Sequence, residues 1–102
     1  MPATHILTRQ NLSADAPTFV NVGVASGQVL PVNLSRRGAV LVNTSANRIS
    51  FGIGTAAILD RGITLYGNGG TWQMDEHTFT LEVINGIASG ANSNLAVQEF
   101  SA

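Results

Sequence analysis

The sequence predicts an all-β domain, a β-sandwich or jelly roll of about eight short antiparallel strands preceded by an N-terminal arm. Three observations predict it. Polar and apolar residues alternate with a period of two in several separate stretches, the signature of half-buried strands. Turn-forming Asn, Gly and Ser groups punctuate those stretches at short intervals. The one segment with helical composition, Thr55-Ala56-Ala57-Ile58-Leu59 within Gly54 to Leu59, offers a single helical turn and is too short to stand as a helix.

Taken in chain order, residues 1–15 lack a sustained pattern and contain Pro2 and a polar Gln10-Asn11 pair, so they read as an arm with one strand at 4–8. The domain proper is 16–102. Val20, Val22 and Val24 alternate with Phe19, Asn21 and Gly23, predicting a strand over 18–24. Leu30, Val32 and Leu34 alternate with Val29, Pro31 and Asn33, predicting 28–34. Gly38 to Asn43 is a continuous apolar run, the pattern of a central strand buried on both faces. Over 48–53, Ile49, Phe51 and Ile53 are expected inward, with Arg48, Ser50 and Gly52 outward. Strands at 62–66 and 70–74 flank Asn68-Gly69-Gly70, a hairpin signal that would place Tyr66 and Trp72 on paired strands. Phe79, Leu81 and Val83 alternate with Thr78, Thr80 and Glu82, predicting 78–85 with a turn at Asn85-Gly86. The last strand, 94–100, follows the Gly90-Ala91-Asn92-Ser93-Asn94 turn.

Composition narrows the function classes. The chain has 102 residues, 44% of them hydrophobic and only 11% charged, against a usual charged share of about 25%. Five basic residues stand against six acidic ones, and all five are arginine: Arg9, Arg36, Arg37, Arg48 and Arg61. With a net charge of −1 and no basic stripe, the driving force for binding nucleic acid is missing. A surface thin in charge and without lysine is weakly protected against association and suits a protein covered by partners. Cysteine is absent, which removes disulfides, thiolate nucleophiles and zinc–thiolate sites. No apolar run approaches the ~20 residues of a membrane helix, and no secretory leader pattern opens the chain.

The chemistry-bearing residues do not assemble into a catalytic motif. Asp75-Glu76-His77 is the one local cluster of metal-ligand types. On a strand its members would point to alternate faces, so a solvated turn is the expectation, and no metal or other cofactor is assigned. Ser26-Gly27 and Ser89-Gly90 are turn pairs rather than nucleophile elbows. Gly52-Ile53-Gly54 lacks the lysine and the following helix of a phosphate loop. Glu82 and Glu99 read as exposed strand positions. Tyr66 and Trp72 could form an aromatic platform for a glycan, although Trp72 also fits as a cap on the core. The expectation is a non-enzymatic protein.

Several sequence features run together from Arg37 to Phe100. They are Arg37-Gly38-Ala39-Val40-Leu41-Val42-Asn43, the Asn-x-Ile-x-Phe-x-Ile strand from Asn47 to Ile53, Gly62-Ile63-Thr64-Leu65, Gly69-Gly70-Thr71-Trp72 and the closing Leu95-Ala96-Val97-Gln98-Glu99-Phe100. This layout, covering about two thirds of the chain, resembles the small head-decoration or cement proteins of tailed bacteriophages. The resemblance implies a virion structural protein on the capsid exterior. Such a protein binds the major capsid protein as a homo-oligomer, a trimer in preference to a dimer, without nucleic acid or membrane. It makes His5, Ile6, Leu7 and Arg9 of the arm, with Arg36 and Arg37, the expected capsid contacts. An exposed turn is the alternative for Arg36-Arg37. The competing functions are a glycan-binding host-attachment module and a tail or baseplate component.

Overall fold

The computed structural model describes residues 13–74 and 80–102, and every statement about structure below concerns those residues. Nine strands form two antiparallel sheets with no helix among the described residues. They are β1 (Ser13–Ala14), β2 (Thr18–Val22), β3 (Gly27–Leu30), β4 (Arg36–Asn43), β5 (Ile49–Ile53), β6 (Thr64–Leu65), β7 (Gly70–Gln73), β8 (Ile84–Ala88) and β9 (Ser93–Ser101). One sheet runs β1-β9-β4-β7, with β2 continuing along the same side of β9 as β1. The other runs β3-β8-β5-β6. The chain changes sheet at almost every connection, so neither sheet could form without the other.

The core fills the space between the sheets. Val22, Ala39, Leu41, Trp72, Leu95 and Val97 come from the first sheet and Val29, Ile49, Phe51, Leu65, Ile84 and Ala88 from the second. Period-two alternation holds on β9, where Leu95 and Val97 are buried between half-buried Asn94, Ala96 and Gln98. The Phe51 and Trp72 rings meet across the sandwich with centroids 5.4 Å apart and planes tilted by 47°, inside the range of favourable aromatic pairs.

Four expected elements come out differently. The strand expected at 28–34 stops at Leu30. Pro31 cannot donate to a ladder, and beyond it Val32 and Leu34 are exposed. In place of 78–85 the strand is Ile84–Ala88, so Asn85-Gly86 lies inside β8 rather than in a turn. Glycine is needed at 86 for packing: a Cβ there would sit 2.7 Å from Val29 Cγ2. The Gly54–Leu59 segment makes no helical turn. It folds as an irregular loop across β5, and a Cβ on Gly52 would lie 2.6 Å from the Ala56 carbonyl oxygen. That loop buries Ser50 and Gly52, which alternation placed outward. Finally, Tyr66 and Trp72 do not share a hairpin, because β6 and β7 belong to different sheets. The strand expected at 4–8 lies outside the described residues. The end of the expected arm is part of the fold: Ser13 and Ala14 pair with Ser101 and Phe100.

Candidate functional site

Two features of the described surface bear on function. The first is the outer face of the larger sheet. Strand register places Phe19, Ala96, Val42 and Thr71 side by side in one row across β2, β9, β4 and β7. Gln98, Val40 and Gln73 form the next row, and Phe100 stands opposite Gly38 beyond it. No charged side chain lies in these rows. Phe19 is 60% exposed, and Val40, Val42, Ala96 and Phe100 are half-buried. The continuous apolar run of β4 therefore has one side in the core, through Ala39 and Leu41, while its other side looks outward.

The second place is a cleft of about 340 Å³ beside the edge strand β6, lined by Asp60, Gly62, Thr64 and Tyr66. Its floor begins at a cross-strand pair, Ser50 and Thr64, whose hydroxyl oxygens are 2.8 Å apart. The Asp60 backbone N–H donates to the same Ser50 Oγ at 2.8 Å, which holds Asp60 at a φ of 63°. The left-handed region is one that Asp tolerates better than most residues. Arg48, two residues before Ser50, donates from Nε to Asp60 Oδ1 at 2.7 Å and from Nη2 to Oδ2 at 3.2 Å. This two-point ion pair is solvent-exposed. The hydrogen bond to Asp60, and then its charge, push the Arg48 guanidinium above its usual range. On the far side Tyr66 is 69% exposed.

The backbone that carries Tyr66 is fixed by Asn43, which is fully buried at the end of β4. Its Nδ2 donates to the carbonyls of Asn47 (2.6 Å), Leu65 (3.1 Å) and Tyr66 (3.2 Å). Its Oδ1 accepts from the N–H and the hydroxyl of Ser45. One side chain thus joins the β4–β5 turn to the β6–β7 connection and holds the backbone at Tyr66.

Of the expected contact residues, His5, Ile6, Leu7 and Arg9 lie outside the described residues, as does Asp75-Glu76-His77. Arg36 is not a surface residue. It is 0% exposed, and its guanidinium closes one end of the sandwich. Nε donates to Glu99 Oε2 at 2.7 Å, Nη1 to the Thr80 and Glu82 carbonyls at 3.0 and 3.1 Å, and Nη2 to the Pro31 carbonyl at 2.7 Å. Those partners belong to β9, to the segment after β3 and to the segment before β8, so Arg36 is an internal tie. Glu99, expected to be exposed, is correspondingly only 16% exposed at its side chain. Arg37 is exposed, with Nη1 donating to the Arg36 carbonyl. The glycan platform of Tyr66 with Trp72 does not exist either, because Trp72 is 5% exposed and packs on Phe51. The structure brings to Tyr66 instead Asp60, Thr64 and Arg48, none of which the sequence singles out. The outward polar positions Arg48 and Ser50, opposite Thr64, were the available signal. No protein-family model, curated protein or solved structure matches the chain.

Proposed function

We propose that this chain is a non-enzymatic structural protein of a phage virion, a capsid-decorating domain that binds the major capsid protein on the head exterior as a homo-oligomer. The observation that carries this reading is the uncharged outer face of the larger sheet. A strand apolar on both sides belongs between two layers, and β4 has one layer within the described chain. A covering partner supplies the second. Val40, Val42, Ala96, Phe19 and Phe100 give such a partner a contiguous apolar contact, the kind of patch that marks association surfaces. The edges of the same sheet, β1–β2 on one side and β7 on the other, favour addition of a partner strand. The motif layout from Arg37 to Phe100 directs the proposal to phage head decoration rather than to association in general.

The test is co-sedimentation with capsids that lack the protein, together with sedimentation equilibrium of the protein alone. Val42→Lys and Phe19→Glu place charges on the face while leaving the core untouched. Both are expected to abolish capsid binding with an unchanged far-UV spectrum. Deletion of residues 1–12, which removes His5, Ile6, Leu7 and Arg9, is expected to weaken it as well. Capsid binding that survives both face substitutions defeats the reading.

A further inference from the structure

We propose that the cleft beside β6 is a binding site for a neutral saccharide, held by Asp60 and Thr64 with Tyr66 as the stacking surface. The proposal is independent of the assembly face, which lies on the other sheet.

Charge selects the ligand class. Asp60 is the one carboxylate in the cleft, and Arg48 already holds it at two points. A cation would have to compete with that guanidinium. An anion would meet the Asp60 charge. A neutral molecule rich in hydroxyls meets neither obstacle. Each carboxylate oxygen has more than one lone-pair site, so Asp60 can accept from a ligand while keeping Arg48. The Thr64 hydroxyl both donates and accepts, and Ser50 fixes its position from a fully buried site. The exposed Tyr66 ring offers an apolar face for the C–H side of a pyranose and a phenolic group at its rim.

Preorganisation and size agree with this class. Asp60 is held in the left-handed region by Ser50, and the Tyr66 backbone by Asn43. A ligand would therefore find the backbone that carries both groups already placed, which lowers the ordering cost of binding. The volume of about 340 Å³ sits at the lower end of ligand clefts, which run from about 300 to 1,000 Å³, and suits one sugar unit of a chain that continues into solvent.

The experiment is a titration of the full-length, isotope-labelled protein followed by ¹H–¹⁵N correlation spectra. The probes are the methyl glycosides of glucose, galactose, rhamnose and N-acetylglucosamine. At least one is expected to shift the amides of Asp60, Gly62, Thr64 and Tyr66 with a Kd of order 1 mM or tighter. Tyr66→Ala, at an exposed side chain, and Asp60→Asn, which keeps a residue tolerant of positive φ, are each expected to weaken that binding about tenfold or more. The dispersion of the remaining amides should be unchanged in both, which separates loss of binding from loss of fold. Silence of the cleft amides with all four glycosides overturns the proposal, as does binding that both variants retain.

Discussion

Replacing Arg36 by methionine tests whether this residue is an internal tie or a contact for partners. Methionine keeps much of the apolar stem and removes the guanidinium. Four acceptors then lose their donor: Glu99 Oε2 and the carbonyls of Pro31, Thr80 and Glu82. Removing one member of a buried ion pair costs about 3–5 kcal/mol, while the three carbonyls are only part-buried and water can replace the lost guanidinium there. Glu99 retains some solvent access and a second contact from Asn33 Nδ2 at 3.3 Å, so part of its share is recovered by turning outward. A net loss of about 3–5 kcal/mol is expected, a large part of the roughly 5–15 kcal/mol available to a domain of this size. At about 4–8 °C per kcal/mol for a domain near 100 residues, the midpoint should fall by roughly 12–40 °C. Trp72 is the only tryptophan and is buried, so urea unfolding followed by its emission reads the loss directly. Glu99→Gln keeps an acceptor for Nε and the three carbonyl bonds but leaves the fully buried guanidinium without its counter-charge, so it should also cost about 3–5 kcal/mol. A loss below about 1 kcal/mol for Arg36→Met would refute the reasoning, as would a Glu99→Gln domain as stable as the parent. A contact residue would behave in the opposite way, leaving the isolated domain as stable as before.

Three further outcomes follow from the same geometry. Gly86→Ala drives a Cβ to 2.7 Å from Val29 Cγ2 and should cost about 1–3 kcal/mol by overpacking; an unchanged urea midpoint would contradict the close approach of β8 and β3. Asn43→Leu removes the donor to three carbonyls and should cost at least about 2 kcal/mol, with calorimetry as the measurement and an unaltered melting temperature as the contrary result. Trp72 Nε1 is buried with no hydrogen-bond partner among the described residues. Trp72→Phe therefore gives up packing but also removes an unsatisfied donor, and the change in urea stability should stay within about 1 kcal/mol.

The fold was legible where a strand's periodicity is decided by one sheet, and illegible where distant chain decides it. On β9, alternate residues face a single core and the sequence shows it. Thr80 to Val83 alternates just as well, yet its backbone never joins a ladder. Arg36 takes the carbonyls of Thr80 and Glu82, while the N–H groups of Asn33 and Gly54 take those of Leu81 and Val83. With its carbonyls already held by a side chain and two loops, the segment has no need of a neighbouring strand. The same remoteness hid Arg36. An Arg-Arg-Gly sequence is a surface turn by every local rule, and only topology brings Glu99 beside it, 63 residues away. Asp60 and Thr64 were missed for a related reason: their roles come from Ser50, buried by a loop whose course across β5 alternation cannot express.

Strand β4 is the instructive case, since its local pattern and its environment disagree without either being misread. The apolar run of 38–43 implies two covered faces, and the described chain covers one. A strand on the open face of an antiparallel sheet ordinarily turns polar outward. Here Val40 and Val42 point out, flanked by Ala96 and Phe19 rather than by lysine or glutamate. Outward-facing β-branched pairs, half-buried on a sheet face without charge, invite association, and retaining them is costly for a protein meant to remain alone. If the outer face is instead solvated in the working state, Val40→Thr and Val42→Thr together should leave both the stability and the assembly of the protein unchanged. Covered by a partner, the same pair should keep the domain folded while raising the concentration at which it assembles, because each hydroxyl would be buried without a designated acceptor. The outward face of one strand thus separates an isolated domain from a component of a larger particle.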